Sequence, residues 1–209
     1  MAARFFINGG VNNNWSSTTN WSTTSGGGGG SSVPGAADDV TFDGNSPNCT
    51  VDVGSARNCL NLVITSGYVN TITLNSTLRV AGTTCTLGAN MQQMQGNGTL
   101  RLDITGTTLT SNGKSIPNLT SISSGITLTL ADPCVVQNEF TYNTVATLTL
   151  NGSTITIYGY LFVGATGLVA GKPTVQGTTV INLQNYNGSY TVLGTLSNTL
   201  NIIKPTRGY

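Results

Sequence analysis

The chain has 209 residues, enough for one domain with a substantial core, and only 7% of them are charged, against about 25% in an ordinary soluble domain. Thr, Asn, Ser and Gly fill about half the positions, so the polar surface is made of neutral hydroxyls and amides. Eight Lys+Arg against seven Asp+Glu give a net charge of +1, and there is no His; this excludes the basic stripe that nucleic-acid binding needs and removes the usual general base near neutral pH.

At the amino terminus, Met1–Gly10 turns polar too early to make a secretory signal. No run approaches the roughly 18 apolar residues of a membrane helix. The expectation is a protein made in the cytoplasm with no membrane partner. Residues 1–32 read as an arm: they carry Phe5, Phe6, Trp15 and Trp21 among polar residues without helical or strand period. The arm has no core of its own and must dock on something. The run Ser25–Ser32, with five consecutive glycines, reads as a flexible spacer before a body at 33–209.

From Val33 onward, short runs alternate Thr, Asn or Ser with Leu, Ile or Val. Thr71–Leu74, Thr99–Leu102, Thr127–Leu130, Thr147–Leu150 and Thr154–Ile157 are examples, and period two predicts strands with one buried face. Met91–Gln95 is the one stretch with helix-forming residues, and it is a single turn long. The first three runs repeat at intervals of 28 residues, and Gly-Thr-Thr recurs at Gly82, Gly106 and Gly177. Such spacing predicts an all-β parallel β-solenoid, or β-helix, whose rungs bury aliphatic rows on one another. Asn151-Gly152 between two alternating runs argues instead for a hairpin pairing Leu148 with Ile155. An antiparallel β-sandwich or jelly roll is therefore the alternative.

Cys49, Cys59, Cys85 and Cys134 show no C-x-x-C spacing and read as small buried hydrophobes, though two disulfides are possible in an oxidising setting. Gly113-Lys114-Ser115 echoes a phosphate-binding loop, but Thr108 stands where its upstream Gly belongs. Asp38, Asp39 and Asp43 could hold a hard cation, and more simply order a turn. Asp52, Asp103, Asp132 and Glu139 are scattered rather than paired as in a glycosidase. The expectation is a non-enzyme with no catalytic residue, cofactor or metal. Sugar stacking would fall to Tyr68, Tyr142, Tyr158, Tyr160, Tyr186 or Tyr190, with Tyr158, Tyr160 and Phe162 alternating along one strand face.

Trp15–Ser22, the glycine-rich gap and Val33–Asp43 form a pattern that resembles bacteriophage virion proteins, namely tail-fibre, spike and capsid-decoration components, and also bacterial surface β-helix repeat proteins. The resemblance covers about the first fifth of the chain. It implies that Trp15, Trp21 and Phe42 cap the first rung while Asp38 and Asp39 order the turn. Alternatively Phe5, Phe6, Trp15 and Trp21 are anchors on a neighbouring virion subunit. Few charges guard the sheet edges, which predicts burial against identical copies, as a homotrimer, or against other virion proteins. The rival readings are a spike that binds or cleaves host glycan, and a bacterial adhesin module.

Overall fold

A computed structural model describes residues 1–7, 9–10, 12–121, 127–142, 147–149, 153–158, 160–163, 174–176, 181–183 and 200–202; beyond Thr141, only the side chains of residues 153–158 are described. The arm contributes β1 (Ala3–Phe6), a 3-10 turn at Thr18–Asn20 and β2 (Trp21–Ser22). Three rungs follow, each placing one strand on each of three faces. They are β3 (Asp39–Phe42), β4 (Cys49–Val51) and β5 (Arg57–Cys59); β6 (Leu62–Ile64), β7 (Thr71–Leu74) and β8 (Leu78–Val80); β9 (Thr84–Thr86), β10 (Gln93–Gly96) and β11 (Leu100–Leu102). The stack continues through β12 (Thr107–Thr110), β13 (Ser115–Ser121), β14 (Thr127–Leu130), β15 (Cys134–Tyr142), β16 (Thr147–Thr149), β17 (Ile155–Ile157), β18 (Tyr160–Val163), β19 (Thr174–Gln176), β20 (Ile181–Leu183) and β21 (Leu200–Ile202).

β1 and β2 run antiparallel; every other strand pairing among the described residues is parallel. The protein is a parallel β-solenoid. Val40, Leu62, Cys85, Leu109 and Leu130 stand in register on successive strands of the first face, all fully buried. Leu78, Leu100, Leu119 and Phe140 do the same on the third. Each buried aliphatic thus gains a neighbour above and below, at about 1.5–3 kcal/mol per side chain relative to exposure.

This stacking corrects two expectations. The antiparallel hairpin at Asn151-Gly152 does not form, although those two residues themselves lie outside the described ones. Leu148 is in register with Leu128 and Val175, whereas Ile155 is in register with Cys134 and Ile181, so the two runs belong to different sheets. A hairpin would give each run a single partner, and the solenoid gives it two. The interval of 28 is likewise not the rung. Val40 pairs with Leu62 and Leu62 with Cys85, a spacing of about 22 residues. Thr71–Leu74, Thr99–Leu102 and Thr127–Leu130 fall on the second, third and first faces in turn, so their interval is one rung plus one face. The Gly-Thr-Thr repeat does track the rung: Thr84 and Thr108 are in register, and Thr107 Oγ1 donates to Gly82 O at 3.0 Å. Gly177 lies outside the described residues. Met91–Gln95 forms no helix, and Gln93–Gly96 is strand β10.

Corners, where backbone pairing lapses, are bridged by asparagine amides. Asn70 Nδ2 donates to Ser46 O, Asn90 Nδ2 to Ser66 O and Asn118 Nδ2 to Gly98 O, each at 2.8 Å and each reaching back one rung. Asn118 marks the bend of β13, where the pairing with β15 shifts register between Ile116 and Asn118.

Leu100→Ala should lower unfolding free energy by about 2–5 kcal/mol in denaturant titration. Thr108→Ala, on the outer face, should change it by less than about 0.5 kcal/mol.

Candidate functional site

The residues picked out for interaction converge on the amino-terminal end of the solenoid, where the first rung would otherwise present unpaired edges. On the first face β1 pairs with β3, and Asp39 N donates to Ala2 O at 2.9 Å. On the second face the arm clamps β4: Trp15 N donates to Thr50 O and Thr50 N to Asn13 O, both at 2.8 Å. On the third, β5 has no partner strand on its amino-terminal side among the described residues. It is three residues long and carries Arg57, paired with Asp52 at 2.7 Å, and a short charged edge resists strand addition.

Over these edges sits an aromatic cluster. The rings of Trp15 and Trp21 meet edge to face at 4.7 Å, Phe6 meets Trp21 at 5.1 Å and Phe42 at 5.3 Å, and Phe42 meets Tyr68 at 5.4 Å. Trp21 Nε1 donates to Trp15 O at 2.7 Å. The buried amide of Asn20 donates to Asn12 O and Asn14 O, which holds the loop before Trp15 in shape. Phe6, Trp15 and Trp21 have no exposed surface, and Phe5 is half-buried on the outer face beside Thr41. Of the four aromatics considered as anchors, only Phe5 therefore keeps surface that a neighbour could touch.

The glycine run is built into this cap and is not a free tether. Gly30 N donates to Thr18 O and Ser31 N to Trp21 O, each at 3.1 Å. Gly9 and Gly29 flank Thr19 so closely that an added Cβ would fall 1.8 and 1.9 Å from its carbonyl oxygen. Absence of side chains lets the backbones touch, a use of glycine other than flexibility. Hydrogen bonds and sheet pairing cross the boundary at residue 32, the β1–β3 pairing and Asn45 Nδ2 to Ser25 Oγ at 3.0 Å among them. Asp38 orders the turn, its Oδ2 accepting from Gly35 N, whereas Asp39 opens β3 and ties it to the next rung, its Oδ1 accepting from Asn61 Nδ2.

The remaining acidic groups are engaged one by one. Asp43 Oδ1 accepts from Asn45 N, Asp52 Oδ1 from Ser16 N, and Glu139 Oε1 from Thr141 Oγ1. Asp132 accepts from the backbone of Ser111 and Asn112, so the turn before Gly113-Lys114-Ser115 is filled by the chain's own carboxylate where a phosphate-binding loop would hold its ligand. Among the described residues, no three His, Cys, Asp or Glu side chains gather as metal ligands. The four cysteines are free and buried, and burial pushes the thiols of Cys85 and Cys134 up to about 12, which suppresses the reactive thiolate.

The tyrosines do not form one face. Tyr68 is buried, its hydroxyl placed to donate to Thr71 O or Pro47 O. Tyr158 is 40% exposed in the bend after β17, off the strand that carries Tyr160 and Phe162. Tyr142 ends β15, and Tyr186 and Tyr190 lie outside the described residues.

A constellation the sequence reading missed lies on the third face. Arg79 and Arg101 are in register on β8 and β11, and Asp103 Oδ2 accepts from both Nε atoms. The signal for it was the pair Leu78-Arg79-Val80 and Leu100-Arg101-Leu102, one rung apart.

The chain matches no family model, no curated protein and no solved structure.

Asp52 joins the cap to the first rung, and its carboxyl is held below the usual range: burial, the largest influence, raises it, but hydrogen bonds from Ser16 and the charge of Arg57 outweigh that. A lowered folded-state value adds stability above the unfolded value near about 3.9 and loses it as pH falls through the folded value. Melting temperatures of wild type and Asp52→Asn should therefore differ at pH 6, wild type being higher, and converge on acidification below about pH 4. Trp21→Ala should cost about 3–5 kcal/mol in denaturant unfolding.

Proposed function

We propose that the protein is a non-enzymatic structural component of a phage particle, a tail, fibre or head-decoration subunit assembled in the host cytoplasm, with copies of itself and other virion proteins as partners. The observation that carries this reading is the low charge of the outer surface of the first face, where Asp39 of β3 faces outward and is bonded to Asn61 while the files beyond it are neutral. One file of outward residues runs Phe5, Thr41, Val63, Thr86 and Thr110, in register from strand to strand. A second runs through Thr84, Thr108 and Thr129. Neither contains a charge.

A flat, uncharged array of hydroxyls and methyls meets a second copy without burying an unpaired charge, whose desolvation would oppose contact. The arm covers two of the three strand edges at the amino-terminal end, which favours contact through the faces, and side-by-side association as a homotrimer is the assembly we propose. Phe5, half-buried at the end of the first file, would sit at the rim of that contact. A β-solenoid with so few titrating groups also keeps its surface unchanged across salt and pH, which suits a particle component.

Light scattering of the purified chain at micromolar concentration should return a trimer, and a stable monomer would count against the assembly. Mass spectrometry of purified particles should find the protein at a fixed copy number. Hundreds of copies would place it on the head and a handful on the tail, while its absence from particles would refute the reading.

A further inference from the structure

The outer face of β8 and β11 carries the one pair of cations set in register on neighbouring strands among the described residues, Arg79 and Arg101. Neighbouring strands lie about 4.8 Å apart, and like charges directly opposite one another destabilise a sheet. Asp103 offsets part of that repulsion. Its side chain has no exposed surface, and its Oδ2 accepts from Arg79 Nε at 2.9 Å and from Arg101 Nε at 2.5 Å. One carboxylate beneath two guanidiniums leaves an excess positive charge at the surface. It also leaves the arginines held but not covered. Their side chains keep 40% and 36% exposure, and neither makes a further side-chain hydrogen bond among the described residues.

We propose that Arg79 and Arg101 form a binding site for the oxyanions of an acidic polysaccharide, with Asp103 as the positioning residue that fixes the two guanidiniums side by side. With each Nε taken, the Nη groups are what a ligand meets, and the planar guanidinium suits carboxylate and sulfate oxygens. Asn58 precedes this row by one strand and Thr120 follows it, placing an amide and a hydroxyl at successive steps along the solenoid axis. That order suits an extended chain of sugars crossing the rungs, with hydroxyls between its charged groups. A nucleic acid fits poorly: Arg57 is paired with Asp52 and Arg4 is bonded to Ser32, so among the described residues no run of free cations extends this pair to neutralise successive phosphates. The inference stands apart from the virion reading, since it rests on the arginine geometry alone.

Isothermal titration calorimetry of the full chain tests it with three probes: an oligogalacturonate, a heparin-derived sulfated oligosaccharide and a neutral dextran oligosaccharide. At least one acidic probe should bind, more weakly as salt rises, and dextran should not; the two acidic arms tell carboxylate from sulfate recognition. Arg79→Gln and Arg101→Gln should each weaken binding at least tenfold while Thr108→Ala leaves it unchanged. Each glutamine variant keeps one arginine on Asp103, and circular dichroism melting checks its fold. Should a glutamine variant fail to fold, Arg79→Lys and Arg101→Lys decide, because lysine keeps the charge near Asp103 and loses the planar fork; binding should then weaken several-fold. No binding of either acidic probe by the wild type, equal binding of dextran, or wild-type affinity in the folded variants would overturn the proposal.

Discussion

Closure of the first rung by the arm is the constraint on which the rest of the structure depends. A parallel solenoid ends in strands whose outward N–H and C=O groups have no partner, and such an edge invites pairing with any other chain. Here β1 covers the first face, residues 13–15 cover the second, and the rings of Phe6, Trp15 and Trp21 seal the core above Phe42. With two of its three edges covered and the third short and charged, that end offers little for strand addition, and the long faces are open to contact. The proposed lateral association and the proposed ligand contact both use those faces.

Within the body, the stack is held by repetition. Inward aliphatics meet in register, and at the corners asparagine side chains reach back to carbonyls of the preceding rung. This gives the abundant Asn a structural purpose, since a buried or half-buried carbonyl left without a donor costs more than its bond returns. The threonines serve the other side, where β-branched residues fit a pleated surface and expose a hydroxyl.

Strand identity and the solenoid architecture were legible in the sequence because period two and the recurring Gly-Thr-Thr are local signals. The rung length was harder to read. Thr-aliphatic-x-Leu occurs on all three faces, so matching it at intervals of 28 joined residues that are not stacked, whereas Gly82 and Gly106 mark the same corner on successive rungs. Asn151-Gly152 misled for a related reason: alternating runs flanking a turn look alike whether the chain reverses or rounds a corner.

The cap was legible in part. Two tryptophans in a polar arm signal docking, and their target proved to be the chain's own first rung. The glycine run concealed its role, because composition cannot tell a tether from close packing against Thr19. Arg79, Arg101 and Asp103 stayed hidden until the rung spacing set them side by side. The most direct measurement of this account is hydrogen exchange at the amides of Trp15 and Thr50, read against those of β6 and β9. The account predicts that they exchange as slowly as the rung amides and open with them as one unit. Exchange within seconds at Trp15 and Thr50, with β6 and β9 still protected, would contradict it.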